Sequence, residues 1–374
     1  MESQRVFDIA VIGAGVAGLI CAQQLHQAGY RVVVVEKSRG LGGRMATRRL
    51  QGTCADHGVR YLEPKGELLQ GLIAHLVRQG ILRAWTDTVY QLQADFSLQK
   101  PGSADLYPRY AAPLGMSAIA KFLGANLEIW LNRRAEAIAL TPHQTWQLDL
   151  AIVNPAIPGE TPQQLEAKAV VVAIPAPQAV MLLEPLGTAL PLSDFLADLR
   201  SVEFAPCISA IAGYAAARQP DLLHLNPGWR GIECPHDPDL AWISWDSSKR
   251  LQSPEPVFVV QSTAKFAETH LESQALESVG RDLLTRAAQV LPWLNAPDWL
   301  QVHRWRYAFP QRPWPQSYLN AATPIPLVCS GDWCGTGQIE SALASGLTVA
   351  AQINGQLANR PLPDLLTQWG WGGN

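Results

Sequence analysis

The chain has 374 residues, 48% of them hydrophobic, with 29 basic against 32 acidic side chains and a formal net charge of −3. That length suits two moderate cores better than one large one, and the charge supplies no basic field for nucleic acid. No run approaches eighteen apolar residues, so no membrane span is expected. The six cysteines stand apart without a CxxC pair, which points to reduced thiols in a cytoplasmic protein rather than a disulfide frame or zinc site. An apolar run already under way at Val6 leaves no expected room for a cleavable leader.

Residues 6–18 read VFDIAVIGAGVAG. An apolar strand runs into Gly13-Ala14-Gly15-Val16-Ala17-Gly18, and a helix with Val16, Leu19, Ile20 and Leu25 on its apolar side stops at Ala28-Gly29. A β-branched run, 32–35, then ends on Glu36 followed by Lys37. Strand, glycine turn, helix, strand and acid in that order are the dinucleotide fingerprint of a βαβ unit. Gly13 permits the turn, Gly15 lets the backbone approach a pyrophosphate, and Gly18 lets the helix sit close to the sheet. The phosphates would meet unpaired N–H groups at the positive helix end. Glu36 would accept hydrogen bonds from the ribose hydroxyls and disfavour an additional adenosine phosphate. The fingerprint by itself does not separate NAD from FAD.

The next stretch, EKSRGLGGRM at 36–45, resembles the extension that follows the fingerprint in FAD-dependent amine oxidases and their relatives. In that superfamily the glycine turn, here Gly42 and Gly43, passes beside the FAD pyrophosphate; Arg44 would neutralise its charge and Met45 closes the turn. GGRMATRR followed by Ala55-Asp56-His57-Gly58-Val59-Arg60-Tyr61 is similar to the renalase family in particular. Asp56, His57 and Gly58 would then border the flavin, His57 through its backbone. Arg60 stands where that family's text carries glutamine, which changes the local charge if the side chain faces flavin or substrate.

Further along, 66–82 reads as a helix, 85–107 as short strands and turns, and 115–124 as a helix with Ser117 as its N-cap. A strand at 127–131 is followed by 133–138, where the resemblance implies that Ala135 pairs its backbone with the adenine. A strand at 146–153 and a proline-rich turn at 155–162 lead to AVVVAIP at 169–175. That continuous apolar run is expected to be buried on both faces, with Ala173 beside the cofactor. Strands are expected at 207–214, 241–245 and 257–262, and a helix at 268–290. In a strand at 301–308, His303, Trp305 and Tyr307 share one face while Arg304 and Arg306 share the other. A strand at 327–333 ends in Gly331-Asp332, the Gly-Asp pair of many FAD oxidoreductases, whose aspartate holds ribityl hydroxyls. A helix at 335–357 would point its start, Gln338 and Ile339, at the flavin ring, and the tail beyond 361 is expected to be loosely held.

The fold class expected is α/β: a Rossmann-type FAD domain (1–82, 108–190 and 324–360) with a second α+β substrate domain on a mainly antiparallel sheet (83–107 and 191–323). The cofactor is expected to be non-covalent FAD. No nucleophile elbow, HExxH or supported carboxylate pair is found, so the flavin would carry the chemistry. The resemblance implies a renalase-type oxidase. A dihydropyridine dinucleotide, the 2- or 6-dihydro isomer of NAD(P)H, would give hydride to flavin N5, and O2 would reoxidise the flavin to yield NAD(P)⁺ and hydrogen peroxide. The alternatives are an amine or carotenoid oxidoreductase on the same scaffold, or a flavin-containing sensing protein. Pocket candidates are Arg60, Tyr61, Trp242, Trp245, Lys249, His303 and Trp305, with Arg60, Arg304 or Arg306 steering substrate phosphates.

Overall fold

The computed structural model describes residues 6–154 and 163–369, so the turn expected at 155–162 lies outside them. Valine-rich runs form the centre of the first sheet. Val6–Ile12 pairs in parallel with Val32–Val35 on one side and Gln163–Val172 on the other. Glu128–Trp130 extends the parallel ladder beyond Val32–Val35, and Leu327–Cys329 lies beside the end of Gln163–Val172. An antiparallel pair, Arg133–Leu140 and Trp146–Ile152, continues from the start of that strand.

Burial on both faces explains why residues 9–12, 32–35 and 169–172 carry no polar side chain. Ile9, Val11, Val32, Val34, Ala169 and Val171 join one core, whereas Ala10, Ile12, Val33, Val35, Val170 and Val172 join the core on the opposite face. Burying each such valine or isoleucine side chain contributes about 1.5–3 kcal/mol. The helix Val16–Gln27 and the last long helix, Ile339–Gln356, cover the first face. Ala176–Leu183 and Ser193–Arg200 cover the second.

The second sheet has seven strands, in the order Trp299–Arg312, Glu203–Gly213, Val257–Ser262, Leu240–Trp245, Gly231–Glu233, Tyr90–Leu92 and Leu98–Gln99. All neighbours are antiparallel except Gly231–Glu233 with Tyr90–Leu92. One face packs on the helix Leu276–Ala287 through Ile208, Ala210, Ile243, Phe258 and Val260. The other face presents Ser209, Gln261, His303 and Trp305 towards the 53–61 segment of the nucleotide-binding half.

Four local expectations need correction. The helix expected at 268–290 is two helices, Ala264–His270 and Leu276–Ala287. Arg304 reaches across and donates to the carbonyls of Leu271 and Ser273, which holds the intervening segment out of the helix. The last long helix begins at Ile339 rather than 335, because Gly335 and Gly337 adopt φ of 108° and 81°. Ser117 does not cap its helix; Asp56 and Thr47 accept from the N–H groups of Met116 and Ser117 instead. The start of the tail is docked: Leu365 and Trp369 are buried in the first core.

Candidate cofactor groove and ring-end pocket

The glycine turn is set by close backbone contact. Gly13 has φ of 108°, and a Cβ there would lie 2.4 Å from the Ala173 carbonyl oxygen. At Gly15 the reverse holds: a Cβ would meet nothing within 4 Å. Gly15 is also the N-cap of the helix Val16–Gln27, which has no side-chain cap and no acid in its first turn. Unpaired N–H groups of Val16, Ala17 and Gly18 therefore surround open space, a cradle that suits a pyrophosphate.

Glu36 closes the turn from the next strand. One carboxylate oxygen accepts from Ala14 N at 2.9 Å and the other from Ser38 N at 2.8 Å. Each oxygen keeps acceptor capacity for a hydroxyl. Lys37 turns aside to Gln178 at 3.1 Å. Arg133 N donates to Glu36 O at 2.9 Å, which brings the strand carrying Ala135 alongside. Gly42 N donates to Ala14 O, tying the Gly42-Gly43 turn to the fingerprint, while Met45 is buried beneath it. Arg44 reaches from this turn to Asp332 at 2.6 Å. Glu36, the glycine turn and an Arg44–Asp332 pair that is only partly buried are thus tied into one cluster. Gln338, exposed, and Ile339, half-buried, stand at the start of the last long helix.

Past Arg44 the chain meets the second sheet. Val59 N donates to Arg44 O, and a Cβ on Gly58 would lie 2.0 Å from that same oxygen. The His57 carbonyl accepts from Ser209 Oγ at 2.7 Å, Trp305 Nε1 at 2.9 Å and Gln261 Nε2 at 3.2 Å. The His57 ring stacks on Trp305 and meets His303 edge-on at 4.8 Å, and its Nδ1 is buried without a partner. Burial, reinforced by His303 and Arg48, pushes the His57 pKa down to about 3. Burial with Arg48 and Arg304 nearby takes His303 to about 4. Both rings are neutral at pH 7.

Asp56 belongs to a buried ionic quartet. Arg250 Nη2 donates to Asp56 at 2.9 Å and Asp246 at 2.6 Å, while the Lys249 ammonium lies 2.5 Å from Asp246 and 3.7 Å from Asp56. Burial raises the Asp56 pKa, but Arg250 and Lys249 outweigh it and leave the group below the ordinary value. Lys249 is thereby committed to two carboxylates instead of lining a pocket. Ser247 and Ser248 are likewise occupied, by the indole N–H groups of Trp245 and Trp85.

The remaining candidates separate by face. Trp242 is fully buried beside Tyr61, with ring centroids 5.6 Å apart, and the Arg60 guanidinium lies over its ring at 4.7 Å. Trp245, three residues on, packs against the core on the opposite face of the sheet and leaves the pocket set. Arg304 is held by backbone carbonyls and Arg306 by Glu272, so neither is free to steer phosphates. Sequence reasoning missed Gln261 and Ser209; the signal was a polar residue inside each apolar strand run.

The turn, the acid and the Arg44–Asp332 pair stand together on a Rossmann-like nucleotide-binding half. A profile of NAD(P)-binding Rossmann-like domains matches residues 11–76, and one of flavin containing amine oxidoreductases matches 105–354. The chain belongs to the flavin-containing amine oxidoreductase family, and FAD is its cofactor. A Mycobacterium tuberculosis protein with a provisional flavin-containing monoamine oxidase name is 38% identical over 69 residues, 18% of this chain and 15% of that one. An L-amino-acid oxidase of Siganus canaliculatus is 46% identical over 52 residues, 13% of this chain and 10% of the other. The chain thus spans well under a fifth of those relatives' length. Among solved structures, a putrescine oxidase triple mutant superposes with a TM-score of 0.67 at 14% identity, covering 94% of this chain and 99% of that one. Cyclohexylamine oxidase from Brevibacterium oxydans gives 0.64, also at 14% identity and the same coverage. These likenesses carry the fold. Among the described residues, no helix is long and apolar enough to cross a membrane.

Proposed function

We propose that the chain is an oxidase of renalase type, converting the 2- and 6-dihydro isomers of NAD(P)H to NAD(P)⁺ with O2 consumed and hydrogen peroxide released. The observation that carries this reading is the chemistry around His57. Its ring packs against Trp305 and His303, and both histidines are held neutral by burial. Oxidising a dihydropyridine to a pyridinium needs loss of a hydride and no proton abstraction, so a pocket without a base poised near neutrality suits it. Bound FAD supplies the two-electron acceptor.

The residues of this chain do the rest. The N–H groups of the Gly13–Gly18 turn and the Arg44 guanidinium would hold the pyrophosphate, Glu36 the adenosine ribose, and the backbone at Ala135 the adenine. Asp332, held by Arg44, would orient ribityl hydroxyls, and the N-terminus of the last long helix would favour negative charge on the ring. Asp56 acts at one remove, fixing the His57-Gly58 turn. The division into an FAD domain and a substrate domain at the boundaries read from sequence is part of this proposal. A cytoplasmic setting suits six free cysteines.

Family membership favours a second reading, oxidation of an amine. Anaerobic stopped-flow mixing separates the two: rapid bleaching of the flavin by 6-dihydroNAD, with no bleaching by putrescine or benzylamine, is the expected result. Bleaching by an amine and by no dihydropyridine isomer would replace the first reading with the second.

A further inference from the structure

Arg60 is the one cationic pocket candidate that makes no ion pair among the described residues. Its Nε donates to Gln261 Oε1 at 2.6 Å, and Gln261 is anchored in turn by donating to the carbonyls of His57 and Gly58. Its guanidinium lies over the buried Trp242 ring, 4.7 Å from the centroid. Among the described residues no carboxylate lies within 4.0 Å of it, and Nη1 and Nη2 make no hydrogen bond. Arg60 as a residue is half-buried, and neither nitrogen is a sealed, orphaned atom. Glu233, the nearby acid, favours the charged form of Arg60 from beyond ion-pair distance and accepts from the Tyr61 hydroxyl at a long 3.5 Å. Burial disfavours the charged form of Arg60, which shows how much protein surrounds it. A guanidinium does not shed its proton to escape such a place. It is half-buried, positively charged, bonded at one nitrogen, and without a hydrogen-bond partner at the other two.

We propose that Arg60 is the receptor for an oxyanion on the electron donor, and that the pocket therefore favours anionic donors over simple amines. The fixed planar fork offers two parallel N–H bonds, the geometry that matches a carboxylate or a phosphate. Trp242 and Gln261 hold the fork in place, acting as positioning residues. Arg60 follows Gly58 by two residues, and Gly58 is packed against Arg44, so the oxyanion is received beside the end of the groove where the flavin ring is placed. This rests on the reading of that end as the ring end.

The test uses flavin-loaded protein and ligands that cannot be oxidised. Nicotinate, nicotinamide and nicotinamide mononucleotide are titrated by calorimetry and by the flavin difference spectrum. Wild type should bind one of the two anions about ten- to a hundredfold more tightly than nicotinamide. Preference for nicotinate identifies a carboxylate partner, and preference for the mononucleotide a phosphate. Arg60→Gln should erase the preference while flavin content and melting temperature hold. Should that variant fail to fold, Arg60→Lys should cut the preference several-fold by losing the fork. Equal binding of all three by wild type, or a preference unchanged in the variant that folds, would overturn the proposal. Dihydropyridines that fail to bleach the flavin while the anion preference stands would remove the renalase-type reading and leave Arg60 as assigned.

Discussion

His57 has two separate duties. Its carbonyl gathers three donors from the second sheet, and its ring sits buried and neutral against Trp305 and His303. The ring has a consequence for stability. In the unfolded chain a histidine titrates near 6.5, whereas the folded protein holds these two at about 3 and about 4. Between those values the unfolded chain binds the extra protons, so stability is complete above about pH 6.5 and is lost as pH falls. Each unmatched proton costs about 1.4 kcal/mol per pH unit. Melting temperatures recorded from pH 7 to 4 should decline, and His303→Phe should make the decline shallower. A variant as steep as wild type would show that His303 is not held neutral. Flavin reduction should be independent of pH between about 6 and 9, because neither ring titrates there.

At the scale of elements, the 53–61 segment is fastened to the second sheet by the Asp56, Asp246, Lys249 and Arg250 quartet. Removing one member of a buried ionic group costs about 3–5 kcal/mol, since its partners are left uncompensated. Lys249→Met should therefore lower the unfolding free energy obtained from urea titration by that amount and leave the rate of flavin reduction in the surviving folded protein little changed. A stable variant with impaired reduction would return Lys249 to the pocket. This quartet also marks the limit of what the sequence makes legible. The strand–turn–helix–strand opening was plain because its apolar spacing and glycines act locally. The partnership of Asp56 with Asp246 spans 190 positions and leaves no local trace. The break between Ala264–His270 and Leu276–Ala287 was equally hidden, because Arg304 imposes it from another strand. The opposite facing of Trp242 and Trp245 was available in principle, because positions an odd number apart on a strand point to opposite faces.

At the scale of the whole molecule, two sheets meet along one line. The first carries the glycine turn, Glu36 and Asp332, and the second brings Trp305, His303 and Gln261 against the His57-Gly58 segment. The glycine turn, the carboxylate and the Arg44–Asp332 pair sit on three separate chain segments, and one extended FAD is the ligand that would need all of them. The direct measurement is FAD binding to stripped protein, by flavin absorbance after equilibrium dialysis, for wild type, Glu36→Ala and Arg44→Ala. One FAD per wild-type chain is predicted. Loss of a charge-assisted bond worth about 1.5–3 kcal/mol should weaken binding in Glu36→Ala about ten- to a hundredfold, and Arg44→Ala should lose more. Stripped wild-type protein that regains no flavin absorbance, or both variants binding as wild type does, would contradict the account.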